Sequence, residues 1–399
     1  MYRLNNHVIL ISKDAQLLSY YPVYGNKFWK TPNMDELAEK GTVFMKHYTA
    51  APSTAMAFTS MFTGLYPYQL DRADYTEVEE YRQGTTLFDE MYKRGYECHL
   101  MWSNNYIKMA DKYSKCYGQH TIRHESKKLN QSVGVHMPRN EERNHLKDDS
   151  EKASDVMNYL VSELDTIDRN KKIFLWVHLP HVLLGRCGYG QDIDLFDEFI
   201  GEVRKRFGDD GIFITADHGN MNGYKGKTCY GFDVNEQAIH IPFITPRLPI
   251  GTHVNYPTTN AQLMEIILNG VVSKREFIVS DTQYFAQPYR KTAIIRGKYK
   301  YIYNKLEHKE ELYDIDFDPN ENINLLQDLL YDVDRNRNVN AEQVIFYPYR
   351  KEAHDNYKII KAYFDSFWKT ADKKTERKNY IIRKLKNYKA VLKRNLGLS

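Results

Sequence analysis

Through the first two-thirds of the chain, short apolar runs alternate with amphipathic stretches, and no other feature restricts the fold as much. Val8-Ile9-Leu10-Ile11-Ser12 has no polar face, so it suits a strand covered on both sides, and it ends in Lys13-Asp14. Thr31-Pro32-Asn33 opens a helix in which Met34, Leu37 and Ala38 repeat at helical spacing before Gly41 stops it. The alternation continues with a helix over 87–93, a strand over 98–102, a helix over 155–167, a strand over 173–178, a helix over 196–207 and a strand over 211–215. Strands separated by helices join in parallel, so the spacing predicts an α/β fold with a doubly wound, mostly parallel sheet. From about Gln283 the pattern changes: runs at 292–296 and 299–303 flank a turn at Gly297 and predict an antiparallel hairpin in a small C-terminal sheet. We therefore expect a main α/β domain over 1–280, with a polar inserted loop or lid at 118–152. An antiparallel subdomain over 281–345 and a helical basic tail over 346–399 follow.

Residues just past the carboxyl ends of parallel strands line the crevice where such sheets bind ligands. Asp14, the stretch from His178 to His181, and Asp217-His218 all hold that position although they are far apart in sequence. Carboxylate oxygen and imidazole nitrogen both suit zinc or manganese, and Asp14 supplies a second carboxylate to the Asp217-His218 pair. A third element is the segment from Ala51 to Gly64, where Ser53 and Thr54 stand at the start of an apolar helix. There the first N–H groups and the helix dipole favour an anion. A hydroxyl in that place, its pKa lowered by a metal, becomes a nucleophile toward phosphorus or sulfur, and the plainer alternative is a helix cap. Ser53 is the alternative nucleophile, His178 the alternative to His181, and Lys225 and Lys227 lie in a Gly-rich loop suited to a phosphate.

Four ordered blocks resemble the sulfatase branch of the alkaline phosphatase superfamily. They are Thr31-Pro-Asn-Met-Asp-Glu-Leu-Ala-Glu-Lys-Gly41 with Phe44, Phe62-Thr-Gly-Leu-Tyr-Pro67, Thr215-Ala-Asp-His-Gly219, and Glu311-Leu-Tyr-Asp314 with Asp318-Pro319 and Asn324-Leu325. The resemblance covers roughly residues 7–326 and implies a doubly wound domain, a small C-terminal sheet and one or more divalent metals at the carboxyl edge. It places the nucleophile ten residues before Gly64, at Thr54. Formylglycine sulfatases carry Cys or Ser there, with Pro and Arg where this chain has Met56 and Phe58, and threonine cannot be matured to formylglycine. Ser53-Thr54-Ala55 with Met61-Phe62 is similar instead to the nucleophile loop of phosphoethanolamine transferases, as is Glu236-Gln237 with His240-Ile241-Pro242 to a second stretch of theirs.

By that resemblance Asp14, Thr54, Asp217 and His218 bind a divalent metal, zinc or manganese first and magnesium or calcium next. His181 and His240 face the transferred group or a second metal, with Lys227 as a further substrate contact. The expected activity is a metal-dependent phosphotransferase or phosphoester hydrolase working through a phospho-threonine at Thr54, on a phosphorylated glycan or lipid precursor. A sulfatase without formylglycine and a silent glycan-binding module are the alternatives.

Charge adds one asymmetry. The whole chain is +4, too near neutral to argue for nucleic acid, and no nucleic-acid partner is expected. Residues 369–399, however, carry eleven basic and two acidic side chains. Ile381, Leu385, Tyr388, Leu392 and Leu396 recur there at helical spacing, a basic amphipathic helix suited to peripheral contact with an anionic membrane. Mean hydropathy of −0.65, no long apolar run, scattered cysteines without a CxxC and no leader-like start give the expectation of a cytoplasmic chain.

Overall fold

The computed structural model describes residues 2–69, 85–102, 117–118, 120–125, 149–179, 189–227, 230–282, 289–326 and 351–368. Its main sheet has eight strands, β1 (His7–Lys13), β2 (Thr42–Phe44), β4 (Glu97–Trp102), β5 (Ile122–Glu125), β6 (Ile173–Leu179), β7 (Ile212–Ala216), β8 (Phe243–Thr245) and β9 (His253–Val254). They lie in the order β5-β4-β6-β1-β7-β8-β2-β9. The five strands from β5 to β7 are parallel, β8 runs antiparallel to both β7 and β2, and β9 is parallel to β2. This is the doubly wound, mostly parallel sheet the alternation predicts.

Burial explains the apolar runs. Along β1, Val8 and Leu10 enter one core, shared with helices α2 (Thr54–Thr63) and α3 (Leu87–Lys93), while Ile9 and Ile11 enter the other. That second core holds apolar side chains of α1 (Pro32–Lys40), α4 (Asp149–Leu164) and α5 (Tyr189–Phe207). A strand covered on both faces has no position that tolerates a charge until it ends. A short pair, β3 (His47–Tyr48) with β10 (Thr258–Thr259), lies beside the main sheet.

The C-terminal sheet has four antiparallel strands, β11 (Ile278–Asp281), β12 (Lys291–Arg296), β13 (Tyr299–Asn304) and β14 (Lys309–Asp314). Arg296 pairs with Tyr299 across a turn in which Gly297 has φ 59°, the left-handed backbone that favours glycine. The sheet starts three residues before the expected boundary at 281, because Ile278 already pairs with Ile295. A helix over 351–368 covers one face, burying Ala353, Ile360 and Phe364 against Tyr301 and Leu312.

Two expectations need correction or limits. Within 118–152, read as an inserted loop or lid, Ile122–Glu125 is the outermost strand of the main sheet and Asp149 already begins α4. An edge strand with an exposed face tolerates polar residues, which is why Ile-Arg-His-Glu did not read as part of a sheet. Residues 126–148 and the basic stretch 369–399 lie outside the described residues.

Candidate active site

Three chain segments meet at the carboxyl edge of the parallel strands. At the end of β1 the Asp14 amide donates to the Leu179 carbonyl of β6 at 2.9 Å, so the pairing carries Asp14 to the strand tip. The next residue, Ala15, turns with φ 54°, and its amide donates to Asp217 Oδ1 at 3.1 Å. Asp217 follows β7, and its Oδ1 also accepts the His218 amide at 2.8 Å. One carboxylate oxygen thus ties the two strand ends together. Gly219 sits so close to the loop beyond that a Cβ would lie 2.0 Å from the Gln237 carbonyl oxygen, and its own amide donates to Ala238 O at 2.9 Å. The glycine after Asp217-His218 therefore answers to backbone approach.

The third segment is the start of α2. Ser53 occupies the N-cap with extended backbone (φ −147°, ψ 138°) but its side chain makes no capping hydrogen bond. Thr54, the first helical residue, points its Oγ1 to His218 Nε2 at 3.1 Å. The same Nε2 lies 3.4 Å from Asp217 Oδ2 and 3.7 Å from Asp14 Oδ1. Asp14, Thr54, Asp217 and His218 are all buried, none more than 4% exposed.

The tautomer follows from the partners. His218 Nδ1 lies 2.8 Å from the Gly219 carbonyl, which only accepts, so Nδ1 carries the proton and Nε2 offers a lone pair. Burial pushes the His218 pKa down, against the upward pull of Asp14, and the ring is held neutral. Burial pushes the Asp217 carboxyl up to about 7, against the hydrogen bonds it accepts from the Ala15 and His218 amides. Asp217 Oδ2, fully buried, accepts no hydrogen bond among the described residues. Two carboxylates and one imidazole lone pair converge with ligand atoms within 4.8 Å of one another, a donor set that suits a divalent ion such as zinc or manganese. Among the described residues it is the one such group of three or more. A cation there would draw the Asp217 proton off and offset its burial.

The other expected site residues are placed differently. His240 Nε2 donates to the Met45 carbonyl at 3.0 Å, its Nδ1 lies 3.0 Å from Glu236, and its ring stacks on Tyr48. Lys227 is ion-paired with Asp233, which also takes Lys291 at 2.7 Å. Lys225 donates to the Glu321 carbonyl at 2.6 Å. His181 lies outside the described residues, whereas His178 is fully buried at the end of β6, its Nδ1 2.9 Å from Ser12 Oγ and its ring against Phe58.

Sequence reasoning passed over three groups. Tyr230 lies against the His218 ring, with centroids 4.4 Å apart. Lys13 forms a buried pair with Asp192 at 2.7 Å, on the opposite face of β1 from Ser12. Lys300 is fully buried between Glu236 at 2.9 Å and Glu321 at 2.8 Å, joining the small sheet to the helix that carries Glu236. A signal for Lys300 existed: in Tyr299-Lys-Tyr-Ile-Tyr it stands in phase with Ile302, which is buried.

Residues 5–182 match the sulfatase family model. The match is a likeness to sulfatases over this segment. An arylsulfatase of Clostridium perfringens (strain 13 / Type A) is 32% identical over 90 residues, which is 23% of this chain and 19% of that enzyme. The chain therefore spans about a fifth of the length of the curated relative it matches. Among solved structures, a 2-O GAG sulfatase superposes with a TM-score of 0.63 at 15% identity, over 90% of this chain and 93% of that one. A phosphonate monoester hydrolase of Agrobacterium radiobacter gives 0.60 at 14% identity, over 89% of this chain and 96% of that one. The chain shares the fold of both neighbours across nearly its whole length.

Proposed function

We propose that this protein is a metal-dependent phosphotransferase or phosphoester hydrolase with Thr54 as its nucleophile. The observation that carries the reading is the hydrogen bond from Thr54 Oγ1 to His218 Nε2 at 3.1 Å, inside the buried group that includes Asp14 and Asp217. Asp14, Asp217 and His218 would hold the divalent ion, which supplies positive charge to favour the alkoxide of Thr54 and to offset charge on the phosphoryl oxygens. Thr54 Oγ1 attacks phosphorus, the bond from phosphorus to the leaving oxygen breaks, and a phospho-threonine results. An acceptor hydroxyl or water then attacks phosphorus and the bond to Oγ1 breaks, restoring the threonine. The N-terminal end of α2, with its positive dipole, faces the group in transit. Gly219 keeps the His218 lone pair aimed at this point, and the buried walls exclude bulk water.

The substrate is proposed to be a phosphorylated glycan or lipid precursor. The eleven basic side chains of 369–399 would draw the enzyme to an anionic surface, and His181 would contact the transferred group. No helix among the described residues is long and apolar enough to cross a membrane. The arylsulfatase similarity favours a second reading, hydrolysis of sulfate esters by the same hydroxyl. Incubating the metal-loaded chain with phosphodiester and sulfate-ester donors, then searching for a modified Thr54 by mass spectrometry, separates the two. A phosphodiester donor is expected to leave on Thr54 its phosphoryl group with the ester substituent it retains, a mass above the roughly 80 Da of the bare sulfuryl group that a sulfate ester would leave. Turnover that Thr54→Ala leaves intact would refute both.

A further inference from the structure

At the edge of the main sheet, away from the metal-binding group, four titratable side chains form an unbroken chain. Glu97 Oε1 lies 3.1 Å from His99 Nε2, His99 Nδ1 lies 2.9 Å from His124 Nε2, and His124 Nδ1 lies 2.7 Å from Glu163 Oε2. The residues come from three elements: Glu97 and His99 from β4, His124 from the outermost strand β5, and Glu163 from α4. Lys171, from the turn before β6, closes the outer end by pairing with Glu97 at 2.7 Å. Both imidazoles are buried, with His99 3% and His124 9% exposed.

Counting protons decides what the chain holds. Each of its three contacts needs one proton, ionised carboxylates supply none, and two neutral imidazoles supply two. One contact is always a proton short, wherever the two are drawn. With both outer N–H groups turned to the carboxylates, two lone pairs would face each other at 2.9 Å, so a cation must stand between them. The ring geometry says which cation. The ring planes are 26° apart and the centroids 5.2 Å apart, the separation expected when the N···N line runs through both ring centres. That is the arrangement of a linear N–H···N hydrogen bond. A metal bonded to both nitrogens at about 2.0–2.1 Å would need them to converge at an angle.

We propose that β5 is latched to the sheet by one extra proton held in the chain Glu97–His99–His124–Glu163, so that this edge is tight in acid and loosens as pH rises through the imidazole range. Burial first and His124 next hold the His99 pKa below its ordinary value against the pull of Glu97, so it is the hydrogen bond shared with His124, and not His99 alone, that keeps the proton. The sign follows from occupancy: the folded edge holds a proton that its opened form releases, so the extra protection is present at low pH and lost as pH rises. With the proton in place the four groups carry one net negative charge, which Lys171 neutralises.

The test is hydrogen exchange on the full chain with chelator present, following peptides over β5 and β6 from about pH 5 to about pH 9 after correction for intrinsic rates. Protection of β5 relative to β6 is expected to fall about fivefold or more on the alkaline side, the loss of one hydrogen bond. Glu163→Gln is the decisive variant, because its amide N–H can donate to His124 Nδ1 and completes all three contacts without an extra proton. It should keep β5 protected at both ends and abolish the step, whereas a group that merely packs would weaken β5 throughout. His124→Gln should abolish the step at low protection. A β5 that follows β6 at every pH in the native chain overturns the proposal, as does a step that survives Glu163→Gln. Zinc that restores alkaline protection in the native chain but not in His124→Gln would also overturn it, assigning the seat to a metal.

Discussion

Two buried groups in this molecule each set a pair of carboxylates around a nitrogen, and they solve the same electrostatic problem differently. At the junction with the small sheet, the nitrogen between Glu236 and Glu321 is Lys300 Nζ, a charge the chain itself supplies. At the carboxyl edge, the nitrogen beside Asp14 and Asp217 is His218 Nε2, on a ring that burial keeps neutral and whose one proton the Gly219 carbonyl holds on the other side. The first is a closed structural joint in which the Lys300 charge lowers the Glu236 carboxyl against the cost of burial. The second presents lone pairs to one point, and there burial raises the Asp217 carboxyl. Burial of carboxylates alone therefore does not mark a metal site. Convergence of the lone pairs on one point is the further condition.

The comparison predicts its largest effect at Thr54. Thr54→Ala should lower turnover at least about a thousandfold, with Thr54→Ser retaining part of it, while the change in stability stays near the roughly 1 kcal/mol of one hydrogen bond. Steady-state rates with a thermal melt check both halves, and a large loss of stability would make Thr54 part of the scaffold. Next comes Lys300→Met, which leaves two buried carboxylates facing each other and should cost about 3–5 kcal/mol in denaturant unfolding. Adding Glu236→Gln and Glu321→Gln should recover much of that. If Lys300→Met were neutral, the joint would not be closed by this charge and the contrast would fail.

A third effect separates the groups by pH. In chelator, the folded state keeps a proton on Asp217 up to about 7, which an unfolded aspartate has lost by about 4. The associated stability is therefore full below about pH 4 and falls as pH rises toward 7, and zinc or manganese should reverse the fall. Melting curves across that window, with Asp217→Asn as the variant that flattens them, give the measurement. The smallest effect is expected at Ser12, whose Oγ accepts the Trp176 indole N–H at 2.8 Å beside His178. Ser12→Ala leaves that donor buried without its acceptor and should cost about 1–3 kcal/mol without changing metal affinity.

Much of this was legible in the chain before folding. The apolar runs determined the strands because a strand covered on both faces leaves no place for a charge, and the first charge after each run marked its end. Asp14 and Asp217-His218 stood out for that reason, as did the hairpin around Gly297. The polar edge strand at 122–125 was not legible, since the side chain it buries, His124, is polar and its apolar Ile122 is exposed. What only the tertiary structure decided is partnership. β1 lies between β6 and β7, which brings Asp14 to Asp217 across more than two hundred residues and lets Ala15 bond the Asp217 carboxylate. The His218 tautomer, the seat of Lys300 between two glutamates, and the imidazole pair of His99 and His124 depend in the same way on atoms brought together by packing. Hydrophobic periodicity is a local property that a linear sequence carries, whereas the charge and proton balance of a buried group belongs to the set of neighbours that the fold assembles.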